Sequence, residues 1–470
     1  MRHNHPTQKL FDDFDAYRET ALTKRRFKHK DIKPLIEKMG RESLFDVTVV
    51  GESLEGRKIF MLSIGNGKTK ILAWSQMHGD EATATMALFD IFSFFNSDDE
   101  YDEFRNKLLE NVTLYFIPML NPDGAEKFSR YNALGIDLNR DALKLTSPES
   151  KILMSVHEEL QPQFGFNLHD QNSKYRVGTY GNPAAISFVA PPFNYEKSMS
   201  NTRKNSMKVI ADLYVELSKI IPGHIARYND DFEPRSFGDY FTNSNTCSIL
   251  IESGVWKDDP EKQFLRRLNF AALLTGFNSI AGNYYESQSE NDYLSIPENK
   301  ELLFDVLLKN VNLIVKDKSY KLDIGIDFEE LNKPGSNDFY KVGTIEGIGD
   351  LSTFCSYNEI DCTGLTVHQG KTYSEIFNSI DEISQINFAN LFSEDFLSVK
   401  LQCGLQNEKF TILPINILKN GGKIDYSIIP QNNANFVLKD KNDTRLIVMN
   451  GFAFKPEEYK SAMLNGLIIN

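Results

Sequence analysis

The chain has 470 residues, enough at roughly 100 to 200 residues per domain for two or three domains, each with its own core. Hydrophobic residues make up 41% and charged residues 25%, a balance that excludes a disordered or fibrous chain. A net charge of −13 argues against nucleic acid and anionic membranes as partners, because proteins that bind them present basic faces.

Cys247, Cys355, Cys362 and Cys403 lack metal-type spacing and do not make a disulfide framework in so long a chain, so they are expected to be reduced. Residues 1–20 are polar and acidic, without the apolar stretch of a secretory signal, and no run of about 18 apolar residues occurs. A cytoplasmic location is the resulting expectation. The one basic cluster, 24–30, reads as a solvated helix face.

Residues 17–39 carry a helical mix of apolar and charged positions. Residues 45–50 and 58–64 read as two strands of a hairpin joined through Gly51 and Gly56. A strand at 70–74, a helix at 81–95 and a strand at 112–117 follow, then a helix at 148–160 and a strand at 164–168. A helix near 201–220, a strand at 248–251 and a helix at 260–281 complete the alternation. The pattern predicts one α/β domain over 45–285, a sheet with helices on both faces, preceded by a helical lead-in over 1–44. From 286 to 470 the chain reads as a separate β-rich region, with strand signals over 311–328, 410–418 and 435–449, a hairpin tip at 439–443 and one helix near 372–383.

His78, Gly79, Asp80 and Glu81 fall where a strand meets the next helix, and in open sheets the carboxyl ends of strands are where ligands bind. A histidine and a glutamate three residues apart across a turn can converge on one ion, although that spacing alone is common. His169 ends a second apolar strand, and two imidazoles with one carboxylate leave an open fourth position on a hydrolytic zinc. Each imidazole then needs an acceptor to fix its tautomer, which Asp137 or Asp170 can supply. Glu252 directly follows the apolar run 249–251, where an unpaired carboxylate is costly unless it has a task. His3, His5 and His29 are expected to be solvated, His157 to be an exposed helix residue and His224 a loop residue, and His368 is given no role.

Taken in order, Gly56-Arg57, His78 to Glu81, Asn121-Pro122-Asp123-Gly124, Gly135 to Arg140, His169 and Glu252 resemble the zinc carboxypeptidases of the carboxypeptidase A type. The resemblance covers about 45–285 and implies an α/β/α sandwich around a twisted mixed sheet. It implies one zinc per chain on His78, Glu81 and His169, with Asp137 orienting the first histidine and Glu252 activating a zinc-bound water. Asn139 and Arg140 would hold a substrate's terminal carboxylate, a guanidinium offering it a two-pronged donor. Arg130 would stabilise the developing oxyanion, and Tyr228, in preference to Tyr240, would cap the substrate. The chain departs from the digestive enzymes at Asp141, at Asp170-Gln171 and in a shorter connection from Arg130 to Asn139.

The substrate expected is a peptide or acyl amino acid with a free carboxylate. Three other readings compete: a zinc deacylase of N-acyl amino acids, similar to aspartoacylase; a cell-wall peptide amidase; and a zinc-free scaffold. Glu55-Gly56-Arg57 and the Asn-Pro-Asp-Gly turn favour the carboxypeptidase over the deacylase, and the presence of all three ligands and Glu252 disfavours the scaffold. That turn is expected to shape the site without touching substrate.

Overall fold

Along the strand Thr69–Ser75, Ile71 and Ala73 enter one apolar core while Leu72 and Trp74 enter another, because successive side chains of a strand point to opposite faces. A sheet that is apolar on both faces must be covered on both. The computed structural model shows this, and describes residues 5–179, 181–402, 408–419, 421–460 and 465–470. The chain forms two compact units, 1–301 and 302–470.

The first unit begins with α1 (Thr7–Asp12), α2 (His29–Glu42) and a hairpin of β1 (Asp46–Glu52) and β2 (Lys58–Ile64). Next come β3 (Thr69–Ser75), α3 (Thr83–Phe95), α4 (Asp102–Asn111), β4 (Val112–Ile117), α5 (Pro122–Lys127) and α6 (Pro148–Leu160). After them run β5 (Phe164–Asp170), β6 (Tyr175–Val177), β7 (Ile186–Val189), α7 (Asn201–Leu217) and β8 (Ile225–Arg227). The unit closes with α8 (Phe237–Asn243), β9 (Cys247–Ser253), α9 (Gln263–Ala281), α10 (Glu290–Leu294) and β10 (Asn299–Glu301).

Eight strands form one sheet in the order β1-β2-β4-β3-β5-β9-β7-β8. The central strands β4, β3, β5 and β9 are parallel, whereas β2 runs antiparallel to β4 and β7 antiparallel to β9, so the sheet is mixed. Helices α3, α7 and α9 pack on one face and α6 and α8 on the other, giving the expected α/β/α sandwich. Because β3, β5 and β9 run side by side in one direction, their carboxyl ends lie in a row, and Glu252 stands opposite His169 in the register.

Several expectations are corrected. Residues 17–39 do not form one helix, since α2 begins only at His29, after a short 3₁₀ turn at Phe14–Ala16. The basic cluster is not a solvated face: Arg25 and Arg26 are buried, Arg25 donating to the Pro260 carbonyl at 2.8 Å and Arg26 lying 3.9 Å over the Phe128 ring. His5 and His29 are buried as well, His5 against Asp212 at 3.1 Å and His29 bonded to the Lys58 carbonyl at 2.9 Å. His157 is also buried, stacked on Phe241 at 3.7 Å. His3 and Cys403 lie outside the described residues; Cys247, Cys355 and Cys362 are free thiols.

The second unit contains a sheet built from β11 (Leu303–Val315), β12 (Lys318–Asn332), β13 (Phe339–Gly349), β14 (Cys355–Asp361) and β15 (Thr366–Gln369). Beyond β15 the chain makes β16 (Lys371–Phe377), α11 (Ile380–Ser384), α12 (Phe388–Ser393) and β17 (Phe396–Leu401). It continues through β18 (Phe410–Thr411), β19 (Asn416–Lys419), β20 (Phe436–Asp440), β21 (Asp443–Met449), β22 (Phe452–Phe454) and β23 (Gly466–Ile469). Strands β20 to β22 extend the first sheet, and β16 to β19 with β23 form a second. The helix expected near 372–383 is strand over its first half, because Lys371–Phe377 pairs with β17, and helix only from Ile380, where α11 begins.

Candidate metal centre and its surroundings

Three short segments carry the site. After β3, the chain turns through Gln76 with φ 47° and presents His78 just before α3. Gly79 is required there by space: a Cβ would lie 2.0 Å from the Gly124 carbonyl carbon, so no other residue lets the first turn of α5 pass so close. Asn121 caps α5 by accepting from the Gly124 N–H at 2.8 Å, so the Asn-Pro-Asp-Gly motif is a helix start rather than an isolated turn. Buried Asp123 in turn accepts from Ser53 Oγ at 2.6 Å and from Arg57 Nη1 at 2.7 Å. The Gly56-Arg57 and Asn121 to Gly124 signals are thus two halves of one lock beside the site.

His78, Glu81 and His169 offer one ligand atom each, all within 4.8 Å of one another. Nδ1 of His78 lies 2.7 Å from Glu81 Oε1, and Nδ1 of His169 lies 2.6 Å from Glu81 Oε2. His78 Nε2 bonds Asp137 Oδ1 at 3.0 Å, which leaves Nδ1 facing the cluster. Two imidazoles and a carboxylate so disposed fit a zinc ion, and these three residues are the ones that would hold it.

The electrostatics are those of a cation site. Burial pulls the His78 imidazole down, but the Glu81 charge and the bond to Asp137 prevail and push it up to about 9. Burial likewise opposes ionisation of Glu81 and Asp137, yet the histidines hold Glu81, and His78 with Arg130 hold Asp137, below the usual carboxylate range. For Glu252 the cations do not prevail: burial, reinforced by the Glu81 charge, outweighs the pull of His78 and Arg130 and holds its carboxyl well above the usual range.

Arg130 bonds Asp137 Oδ2 through Nε at 3.1 Å and Nη2 at 2.9 Å, and its Nη1 lies 3.3 Å from Glu81 Oε1. Asn139 is buried, and its Oδ1 accepts from the Phe237 N–H at 3.1 Å, at the start of α8. Arg140 keeps 40% of its side chain exposed, donates to the Asn139 carbonyl at 2.7 Å and stands 3.5 Å from Glu233 Oε2. Tyr228 lies within electrostatic reach of Glu252 and shares a 3.2 Å contact with the Tyr175 hydroxyl. Tyr240 packs instead with the Phe241 cluster beneath α8.

Some neighbours were not legible in advance. The Asp170 carboxylate meets no imidazole; it accepts from Thr83 Oγ1 at 2.6 Å and Lys262 Nζ at 3.0 Å, while its N–H donates to Glu81 Oε2 at 3.2 Å. Lys262 is 92 residues further along the chain, and nothing in its local sequence marks it. Tyr175 sits on the short strand β6, which pairs with β10 and is too brief to give a pattern. His224 bonds the Pro183 carbonyl at 2.9 Å.

The first unit is thus an α/β/α sandwich with a two-imidazole, one-carboxylate cluster, able to hold a metal ion, at the carboxyl edge of its sheet. A family model described as zinc carboxypeptidase matches residues 35–204. That stretch contains His78, Glu81, Arg130, Asp137, Asn139, Arg140 and His169, while Tyr228 and Glu252 lie beyond it. Carboxypeptidase SOL1 of Arabidopsis thaliana is 28% identical over 136 residues, 26% of this chain and 28% of that protein. Carboxypeptidase 2 of Trichophyton tonsurans is 26% identical over 129 residues, 25% of this chain and 23% of its own length. The chain therefore spans about a quarter of the curated relatives it matches. A metallo-carboxypeptidase structure from Burkholderia cenocepacia superposes with a TM-score of 0.45 at 17% identity, covering 55% of this chain and 70% of that one. Among the described residues no helix is long and apolar enough to cross a membrane.

Proposed function

We propose that this protein is a zinc-dependent metallocarboxypeptidase that hydrolyses a C-terminal peptide bond, with one zinc per chain on His78, Glu81 and His169. The observation that carries the reading is the convergence of those three donors within 4.8 Å, beside a buried Glu252 in register with His169. When bound, zinc supplies Lewis acidity, polarising a carbonyl and making water acidic near neutral pH.

The remaining steps belong to side chains of this chain. In its ionised form Glu252, made more basic by burial and by its anionic neighbour, takes the proton of the attacking water and delivers it to the leaving amine. Arg130 offers a guanidinium beside Glu81 to the developing oxyanion. Asn139 and Arg140 anchor the substrate carboxylate, Arg140 exchanging its loose contact with Glu233 for a charge-assisted pair. Tyr228 caps the bound residue from the Glu252 side.

A panel of N-blocked dipeptides and N-acyl amino acids, assayed with and without chelator, tests the reading. Chelator-sensitive release of the C-terminal residue from the dipeptides supports it. Cleavage confined to the acyl amino acids would replace it with the deacylase.

A further inference from the structure

His169 is followed directly by Asp170, the last residue of β5, and Glu81 lies two residues before Thr83, the first residue of α3. Asp170 joins these two segments twice. Its Oδ2 accepts from Thr83 Oγ1 at 2.6 Å, and its N–H donates to Glu81 Oε2 at 3.2 Å. Its Oδ1 is buried without a hydrogen-bond partner among the described residues, so Oδ2 carries the whole hold on the carboxylate. That oxygen also accepts from Lys262 Nζ at 3.0 Å, and the side chains of Lys262 and Asp170 are only 11% and 8% exposed. Lys262 is placed there against local preference. It stands at the N-cap of α9 with φ 52°, in the left-handed region that disfavours residues with side chains, and brings a positive charge to the positive end of a 19-residue helix. The helix start does not need it: Asp259 accepts from the N–H groups of Gln263 at 2.7 Å and of Phe264 at 2.9 Å. A lysine kept at two local costs, whose ammonium makes its one hydrogen bond among the described residues to Asp170, has its task in that bond.

We propose that Lys262 is a positioning residue for the metal centre: by pinning the Asp170 carboxylate against Thr83 it locks the end of β5 to the start of α3, and so holds His169 and Glu81 toward one site. The inference rests on the zinc reading of that cluster and adds to it a residue 92 positions beyond Asp170. An ammonium suits the task, because it gives a buried carboxylate a charge-assisted donor and offsets a charge that is costly to leave unpaired. Without it the carboxylate keeps one neutral donor, and the link to Thr83 loosens. The loss then falls on zinc binding, since the ion has to bring together two ligands that the chain no longer holds in place.

The test is the zinc affinity of the full chain, measured by competition with a chromogenic chelator, with thermal unfolding of the metal-free proteins alongside. Lys262→Met should bind zinc roughly tenfold to a hundredfold more weakly than the wild type, whereas Lys262→Arg, which keeps a charge-assisted donor, should stay within about threefold. Thr83→Val removes the other bond to Oδ2 and leaves no charge unpaired, and it should weaken zinc binding by about tenfold. Lys262→Met/Asp170→Leu buries no lone charge, so it should regain metal-free stability while its zinc binding stays weak. Wild-type affinity in Lys262→Met or, should that variant not fold, in Thr83→Val overturns the inference and leaves the metal reading intact. Recovery of wild-type affinity in the double variant overturns it as well, since the pair would then only neutralise a buried charge. A wild type that itself binds no zinc overturns the metal reading and this inference together, so the two failures are told apart.

Discussion

Glu252 and Glu81 carry opposite electrostatic signatures although both stand at one sheet edge. The histidines hold Glu81 ionised, whereas burial and the Glu81 charge work against ionisation of Glu252. A ligand and a base are expected to differ in this way, and two substitutions separate them. His169→Ala should lose most of the bound zinc by metal analysis; a full equivalent retained would remove His169 from the ligand set. Glu252→Gln should keep its zinc yet lose several orders of magnitude in turnover, since an amide cannot accept the proton. Near-normal turnover would end its role as base. The ligand cluster was legible because His78 and Glu81 are close in sequence and His169 ends an apolar strand. Lys262 was not, since it reaches Asp170 only through the fold.

At the scale of elements, α6 shows where sequence reading stops. Its limits at Pro148 and Leu160 were legible from a proline at the helix start and from helical periodicity. The environment of His157 was not, because its burial is set by Phe241 and Thr246 on distant segments. Thr246 Oγ1 donates to the Pro162 carbonyl at 2.8 Å, so His157 Nε2, 2.8 Å from that hydroxyl, is the donor to it. Burial pushes the imidazole down to about 4. Between pH 6.5 and 4 the unfolded chain binds this proton and the folded chain does not. The stability it contributes is therefore complete above pH 6.5 and is lost as the pH falls toward 4, a loss of roughly 1 to 3 kcal/mol. Denaturant titrations across that window should show the loss in the wild type and a flatter profile in His157→Gln; equal slopes would contradict it. The strand β16 was misread for a related reason: pairing with β17 outweighed a local pattern compatible with helix.

For the molecule as a whole, each unit has its own apolar cores. Those of the first unit draw on residues from Leu10 to Ile296, and those of the second on residues from Phe304 to Ile468. Calorimetry should therefore resolve two unfolding transitions, with zinc raising only the one belonging to the metal-bearing unit. A single transition that shifts as a whole on chelation would contradict this. The alternation of strands and helices made the first unit readable almost element by element. The second offered short strands whose partners lie far apart in sequence, such as β11 with β14 and β15 with β20, and such pairings leave little local trace.

The central claim is that the first unit removes the C-terminal residue of a peptide, and its decisive feature is the capture of a free carboxylate. Rates should be compared for an N-blocked dipeptide and for the same dipeptide amidated at its C-terminus, using zinc-loaded wild type and Arg140→Ala. The account predicts that the wild type cleaves the free acid roughly 30-fold to several thousandfold better, as expected for about 2 to 5 kcal/mol from a charge-assisted pair. It also predicts that Arg140→Ala cleaves acid and amide at similar, slow rates. Equal cleavage of acid and amide by the wild type would contradict the carboxypeptidase account, even with a full equivalent of zinc bound.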